Sequence, residues 1–259
     1  MGAKIYQNKK YIAFFLIPAF VFMLIFLYYP FIQNIINSFQ HIKYMGTAAD
    51  KWNAPFYKNY LEIFKDPKML IALKNTGIMI IATIVGEVGL AIVLSLLVSN
   101  IKKGAGFFRV VYFFPIVISA TALGLLFNLV FLYDKGMINQ LLQLIGVLDA
   151  GKNELIDWKA TYPMFTMLVP VIWQYVGFYF IILLTGLSGI PEDLYEAAEI
   201  DGASKLQQVR YVTLPLLRNS ICTCVVLAVT GALKVFDLPW TMFVNGMSNT
   251  WLTGTYMYS

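Results

Sequence analysis

The amino-acid sequence predicts an all-α polytopic membrane protein with five transmembrane helices and a polar helix–elbow–helix loop between the last two. Hydrophobic residues make up 59 % of the 259 positions and charged residues only 13 %, and a soluble domain has no use for so much apolar surface. Uncharged runs of about 20 residues, the length that crosses a bilayer core of about 30 Å, recur along the chain. A membrane β-barrel would show alternating segments of about ten residues instead.

The five predicted helices follow from these runs in chain order, with approximate bounds 11–39, 72–99, 108–133, 161–188 and 216–238. The first follows three lysines, as a signal peptide does, but it is too long and lacks a small-residue cleavage site, so we expect a retained anchor. The second contains one charge, Glu87. The fifth reaches spanning length only if it includes Lys234 or begins near Leu214.

The loop after the first helix has the spacing of a short amphipathic helix. Aromatic and apolar residues alternate with lysines in a way that suits the membrane interface, and they are Tyr57, Tyr60, Leu61, Phe64, Met69 and Leu70. A surface that docks a partner is the alternative. Because no Pro-, Gly- or Ser-rich linker interrupts the chain, we expect one transmembrane domain over residues 1–259.

A polar loop, residues 190–216, separates the fourth and fifth helices. A proline and two acids at its start favour a short helix, since acids complement the positive end of a helix dipole. Asp201 and Gly202 interrupt that helix, and Ser204 with Gln207 forms the capping-box pattern that begins another. Five acids precede any base in the loop, namely Glu192, Asp193, Glu196, Glu199 and Asp201. They indicate either a solvated acidic face or a face that docks a basic partner.

The polar loop resembles the EAA loop of permease subunits in ATP-binding-cassette (ABC) importers. The matching residues are Glu196, Ala197, Ala198, Asp201, Gly202, Ala203, Ser204, Leu214 and Pro215. Further matches lie along nearly the whole chain, at residues 15–18, 29–30, 59–60, 64–67, 75–76, 114–115 and 236–240. Together they are similar to the sugar and polyol branch of these permeases, the subunits related to the maltose and glycerol-3-phosphate permeases.

The resemblance implies a mechanism and a set of partners. Two permease subunits would form the pathway for a carbohydrate, two copies of a cytoplasmic ABC ATPase would lie beneath them, and an extracytoplasmic solute-binding protein would deliver the substrate. The EAA loop would dock in a cleft of the ATPase, with Glu196 facing a basic residue and Gly202 at the elbow. The sequence lacks a GxxxxGK[ST] phosphate loop. We therefore expect a transport subunit that is not an enzyme and holds no cofactor, with ATP and Mg bound by the ATPase.

Charge alone does not settle the orientation, because basic residues divide evenly between the two sides. The first helix and the basic loop at 100–109 favour a cytoplasmic N-terminus, and the resemblance places the polar loop in the cytoplasm of a bacterial cell. Permeases of this branch have a sixth helix, whereas this sequence ends before one could form. We expect a truncated chain, with a true five-helix protein as the alternative.

Polar residues within the predicted helices are candidates for the transport pathway. A charge at bilayer depth costs about 2.5–3.5 kcal/mol and usually faces protein or water, so Glu87 could line the pathway or pair with Lys234. Lys234 and Asp237 could instead pair with each other. Aromatic faces and amides bind sugars, but such side chains also pack between helices. The candidates for contact with a sugar are Asn128, Trp173, Gln174, Tyr175 and Tyr179.

The sequence leaves two other classes of function to compare. An ion-coupled secondary transporter would use Glu87 or Asp237 as its carboxylate, whereas a membrane-embedded enzyme would need clustered Asp or His residues, which the sequence lacks. His41 has no second ligand nearby, so we expect no metal site. Dispersed bases exclude a nucleic-acid surface and favour contact with anionic membrane lipids.

Overall fold

The computed structural model describes residues 9–43, 46–47, 49–101, 104–149, 154–243 and 249–258. Where the sequence predicts one domain, the chain divides into two compact units, residues 1–66 and 67–259. Four helices are long and apolar enough to cross a membrane, namely Lys9–Asn37, Pro67–Ser99, Pro163–Ser188 and Lys205–Met242. A bent pair, Ala105–Val117 with Ala120–Val130, makes a fifth candidate span. These findings confirm the predicted all-α polytopic class.

The first unit contains one long helix, a small hairpin and a short helix. Helix α1 spans Lys9–Asn37 and includes a π-helical turn at Leu24–Tyr28. Strands β1 (Gln40–His41) and β2 (Lys51–Trp52) pair antiparallel. Helix α2, Lys58–Lys65, forms where the amphipathic helix is predicted.

Side-chain contacts hold α2 to the segment that follows α1. The Asn59 amide donates to the carbonyl oxygens of Ser38 and Gln40 over 2.9 and 3.0 Å. The hydroxyl groups of Tyr60 and Ser38 lie 2.7 Å apart, and the Tyr60 ring contacts Phe39. The amide therefore satisfies two backbone acceptors at the end of α1, where a helix leaves carbonyls open.

The second unit contains the remaining helices. In chain order they are α3 (Pro67–Ser99), α4 (Ala105–Val117), α5 (Ala120–Val130), α6 (Met137–Leu144), α7 (Trp158–Thr161), α8 (Pro163–Ser188), α9 (Asp193–Ile200), α10 (205–234), α11 (Asp237–Met242) and α12 (Thr253–Tyr256). Helix α3 begins at Pro67 rather than near 72. Met69 and Leu70, predicted for the amphipathic helix, therefore belong to a span.

Helix α8 is the most buried span of this unit and packs against α3, α4 and α10. One apolar cluster includes Met79, Leu123 and Met167. A second includes Phe180 and Leu217. Contact between α4 and α8 is close enough to require glycine, because a Cβ at Gly177 would lie 1.7 Å from the carbonyl oxygen of Tyr112.

The predicted third helix, 108–133, is divided in the structure. Helix α4 ends at Val117, α5 begins at Ala120, and the two axes differ by 96°. Ser119 is extended and its hydroxyl accepts from the amide of Ala122 at 3.2 Å, so it caps a new helix. The proline at 115, which lacks an amide donor, lies just before the break.

The predicted fifth helix, 216–238, also differs. Helix α10 already begins at Lys205 and runs as Lys205–Gln208, a π-helical turn at Val209–Thr213, and Leu214–Lys234. Pro215 lies inside this helix, just after the π-helical turn, and has no backbone amide to donate there. The second helix of the polar loop and the last long span are therefore one continuous helix.

Polar contacts anchor the last described segment, 249–258, to α3. The Asn75 amide donates to the carbonyl oxygens of Asn249 and Trp251 over 2.7 and 2.9 Å. The amide of Thr253 donates to the Thr76 hydroxyl over 3.0 Å. This segment therefore packs on the bundle beside α3.

Candidate coupling loop and membrane cavity

The elbow of the polar loop, Asp201 to Ala203, is built by a Schellman motif at the end of α9. Gly202 has φ +76°, a left-handed conformation that glycine adopts without a steric cost. The amide of Gly202 donates to the Glu199 carbonyl over 3.0 Å, and that of Ala203 donates to Ala198 over 2.9 Å. This double closure satisfies carbonyls at the helix end and turns the chain sharply.

The capping box predicted after the elbow is present. The backbone amide of Gln207 donates to the Ser204 hydroxyl over 3.4 Å, and the backbone amide of Ser204 donates to the side-chain Oε1 of Gln207 over 2.7 Å. Both donors would otherwise lack a partner at the start of α10. Two local motifs thus fix the conformation on either side of the elbow.

The outward face of the polar loop combines acids with large apolar side chains. Glu196, Ala197 and Gly202 are exposed, and Glu196 makes no ion pair within the described chain. Ile200 is 87 % exposed and Leu206 78 % exposed, on opposite sides of the elbow. Neither residue is among the site residues predicted from the sequence. An isoleucine at the end of an acidic helix nevertheless indicates an exposed apolar side chain. Exposed apolar side chains beside acids are typical of a protein-binding surface.

Contacts within the polar loop hold α9 to the start of α10. The hydroxyl groups of Tyr195 and Thr213 lie 3.0 Å apart, and at the surface Nζ of Lys205 lies 3.9 Å from a Glu199 carboxylate oxygen across the elbow. Tyr195 and Ala198 are the half-buried residues of α9. The helix therefore presents its acids outward and keeps its ring inward.

A central cavity of about 320 Å³ lies between the two apolar clusters of the second unit. Its lining includes six of the eight residues that sequence reasoning selected for the pathway, namely Glu87, Gln174, Tyr175, Tyr179, Lys234 and Asp237. Helices α3, α8 and α10 and the segment after α10 supply these side chains. Residues up to 150 positions apart in the sequence are thus brought to one site.

Glu87 lies in a π-helical turn of α3, Ile84–Gly89, and is only 2 % exposed. Such turns alter which side chains face a site and are frequent at functional positions. Tyr179 of α8 lines the same cavity. The pairing of Glu87 with Lys234, one of the alternatives from the sequence, does not form, because no described ion pair joins Lys234 to Glu87 or to Asp237. Lys234 of α10 and Asp237 of α11 are both exposed.

Gln174 has a structural role in the cavity wall. Its amide donates to the carbonyl oxygen of Ile118 over 3.3 Å, and Ile118 is the residue at which α4 breaks. A buried carbonyl without a partner is costly, so this side chain stabilises the break between α4 and α5.

Two predicted pathway residues lie outside the central cavity. The Trp173 ring packs edge-on against Phe127 with centroids 5.7 Å apart. The Asn128 amide donates to the carbonyl oxygen of Thr241 over 3.3 Å. In both cases the side chain contacts a neighbouring helix, which is the alternative that the sequence leaves open for these residues.

Several lining residues were not predicted from the sequence, because an uncharged side chain in an apolar run cannot be distinguished there from one that packs between helices. They include Thr83, Ile116, Phe178, Gly231 and Phe236. Helical spacing could have indicated two of them. Thr83 lies four residues before Glu87 and Phe178 three residues after Tyr175, and residues at these spacings share a helix face.

Helix α10 connects the elbow to the central cavity. It begins at Lys205, two residues after the elbow, and its residues Leu227, Ala228, Gly231, Ala232 and Lys234 line the cavity. A helix of this length spans about 44 Å. A single helix therefore joins the elbow to the cavity wall.

Comparison with known proteins places the chain in a family. The family described as "Binding-protein-dependent transport system inner membrane component" matches residues 89–259. The probable ABC transporter permease protein YurN of Bacillus subtilis is 34 % identical to this chain. The match covers 93 % of this chain and 81 % of the length of YurN. The arabinooligosaccharides transport system permease protein AraP of Halalkalibacterium halodurans is 32 % identical, over 90 % of this chain and 71 % of the length of AraP.

The fold also matches solved structures. A chain of the bacterial alginate ABC transporter, in complex with an alginate pentasaccharide-bound periplasmic protein, superposes with a TM-score of 0.79 at 22 % identity. The match covers 98 % of this chain and 84 % of that chain. The protein thus belongs to the inner membrane components of binding-protein-dependent transport systems.

Proposed function

We propose that this chain is the permease subunit that moves a carbohydrate into a bacterial cell, and that a separate ATPase drives it through the polar loop. The continuous helix α10, which begins beside the elbow and lines the central cavity, is the observation that carries the proposal. It provides one mechanical element between a docking surface and a pathway.

The chemistry of the elbow supports docking to a protein. Ile200 and Leu206 would enter an apolar cleft, which is where interfaces gain most of their energy. Glu196 would face a basic residue at the rim and set the register of the two proteins. Because the Schellman motif already fixes the elbow, little conformational entropy is lost on binding.

The lining of the central cavity supports a carbohydrate substrate. Tyr175, Phe178 and Phe236 offer aromatic faces, and Glu87 with Gln174 offers hydrogen-bonding groups. AraP is named for arabinooligosaccharides and the solved neighbour for alginate, both of them carbohydrates. A cavity of about 320 Å³ is at the lower end of ligand-site volumes.

The remaining partners follow from the family. A second permease subunit would complete the pathway, and an extracytoplasmic solute-binding protein would deliver the substrate, as the family description names binding-protein dependence. ATP and Mg would bind to two copies of a cytoplasmic ATPase. The N-terminus and the polar loop would then be cytoplasmic.

Co-purification of the chain with the ATPase encoded beside it tests the docking step. We expect Glu196→Lys and Ile200→Asp each to lower the recovered ATPase about tenfold, or about 1.4 kcal/mol. The first places like charges together at the rim, and the second puts a charge into the apolar cleft. Glu154→Lys, at an exposed acid outside the polar loop, is the matched control and should change nothing. Full recovery of the ATPase with both loop variants would remove the proposal.

An ion-coupled secondary transporter, using Glu87 or Asp237, remains the second function to test. It has less support, because the chain belongs to a binding-protein-dependent family. Uptake into proteoliposomes distinguishes the two: ATP should be required, and an ion gradient without ATP should not suffice.

A further inference from the structure

Arg109 lies at the junction of two cavities, both distinct from the central one. It lines a polar cavity of about 660 Å³ under the polar loop, and it also lines an apolar groove of about 390 Å³ on the surface of α4 and α8. Its guanidinium is exposed, and within the described chain no hydrogen bond or ion pair engages it. Five hydrogen-bond donors are therefore open to a ligand.

Among the described residues, two bases, Arg109 and Lys205, and one acid, Glu192, line the polar cavity. Lys205 lies 3.9 Å from a Glu199 carboxylate oxygen and is matched by that acid. Arg109 is therefore the base of this lining that is open to an anion.

The apolar groove begins at the same arginine and follows α4. Val110, Phe113, Phe114 and Val117 form one face of the helix, and Ile181 of α8 forms the other wall. From Arg109 to Val117 the groove extends about 12 Å along the helix axis. No polar side chain other than Arg109 lines it.

We propose that this junction binds one anionic phospholipid, with the headgroup phosphate on Arg109 and an acyl chain in the apolar groove. The guanidinium fork matches a phosphate in a bidentate manner, and a base at the end of a span lies at headgroup depth. The occupant is a lipid rather than a soluble phosphate compound, because only a lipid fills the groove and the phosphate position together.

The position of the junction gives the lipid a role in coupling. The polar cavity is bounded by Glu192, Tyr195, Lys205 and Gln208 of the polar loop. A headgroup on Arg109 would therefore lie against the inward face of this loop and limit its movement relative to α4 and α8. Binding of an anionic lipid would rigidify the loop that precedes α10.

Native mass spectrometry of the membrane-purified protein, together with the subunits that co-purify, tests the lipid site. The probes are phosphatidylglycerol and phosphatidylcholine of matched acyl chains. We expect retained phosphatidylglycerol to fall about fivefold in Arg109→Gln, given the worth of one base near anionic lipid. Val117→Trp should lower it with Arg109 intact, because the ring fills the groove.

Two variants and one competitor complete the test. Arg109→Lys keeps the charge and should retain more lipid than Arg109→Gln, while Arg218→Gln, at a base outside both cavities, should match wild type. Soluble glycerol phosphate in excess should not displace the lipid. The proposal would be overturned if all variants retained the lipid equally or if glycerol phosphate displaced it. It would also be overturned if a groove or arginine variant lost the second permease subunit while the amount of bound lipid stayed unchanged.

Discussion

Glu87 is the residue whose position sequence reasoning located best. A single acid in an otherwise uncharged run was a visible signal, because charges at bilayer depth are retained where protein or water receives them. The structure places it in a π-helical turn on the wall of the central cavity, which Tyr179 also lines. Its neighbours could not be predicted, since they come from helices far away in the sequence.

The carboxyl group of Glu87 should contribute to substrate transport rather than to assembly. We expect Glu87→Gln to lower uptake about fivefold, because the loss of one hydrogen-bond acceptor in the cavity costs about 1 kcal/mol. The amount of assembled transporter should stay unchanged. Trp173→Phe, outside the central cavity, is the control; uptake of Glu87→Gln at the wild-type rate would reduce the residue to a packing role.

Asn139 was not selected from the sequence, yet its side chain organises the loop between α5 and α8. It is 1 % exposed, donates to the carbonyl oxygens of Tyr133 and Ile156 over 3.0 and 2.9 Å, and accepts from the Trp158 indole over 2.8 Å. An asparagine in a loop gives no signal of such a role, because its three partners are known only from the tertiary structure.

Asn139→Leu should lower the free energy of unfolding by about 2–3 kcal/mol, since three hydrogen bonds are lost and two carbonyls are left buried. Thermal unfolding followed by tryptophan fluorescence measures the change, with Trp158 as the local reporter. Gln140→Leu replaces an exposed amide that bonds only Lys135 and should shift stability by less than about 0.5 kcal/mol. Equal effects of both variants would contradict the assigned role.

Pathway residues on α8 could be named but not oriented from the sequence. Trp173 and Tyr175 are two positions apart and point to different sides of a helix, so the rotation of α8 decides which faces the cavity. That rotation is set by packing, including the close contact of Gly177 with the Tyr112 backbone. Tyr175 lines the central cavity and Trp173 does not.

At the scale of elements, local motifs were predictable and tertiary breaks were not. The helix, elbow and helix of the polar loop follow from Gly202 and from the pair Ser204 and Gln207, because both motifs are closed within a few residues. The division of the third span at Ile118 combines the local signals of Pro115 and Ser119 with a tertiary hydrogen bond from Gln174 of another helix. Sequence reasoning therefore extended one helix through a break.

The conformation of the elbow should matter more than the size of the side chain at Gly202. A Cβ there meets nothing within 4 Å in this chain, but a left-handed φ costs an ordinary residue about 1–2 kcal/mol. We expect Gly202→Ala to weaken ATPase binding about tenfold and Gly202→Asn to weaken it less, since asparagine tolerates this conformation.

Hydrogen exchange of the amides of α9 and of the first turn of α10 provides the structural readout for these two variants. Protection should decrease in Gly202→Ala and remain close to wild type in Gly202→Asn. If both variants lose the ATPase with unchanged protection, steric exclusion from the partner's cleft rather than elbow geometry would explain the loss.

At the scale of the second unit, the polar loop and the central cavity share helix α10. The sequence predicts the polar loop, 190–216, and the last span, 216–238, as separate elements. In the structure Pro215 closely follows the π-helical turn Val209–Thr213, and the helix continues through it. This continuity is the physical basis for expecting force on the elbow to change access to the cavity.

The most direct test measures access to the cavity while the elbow is altered. A cysteine at Gly231, where a Cβ meets nothing within 4 Å, would report alkylation from either side of the membrane after Cys222 and Cys224 are replaced by serine. With the ATPase present, ATP should change the side from which Gly231→Cys reacts, and Ile200→Asp should abolish that change. The same ATP-dependent change in the Ile200→Asp protein would contradict the central claim that the elbow drives the cavity.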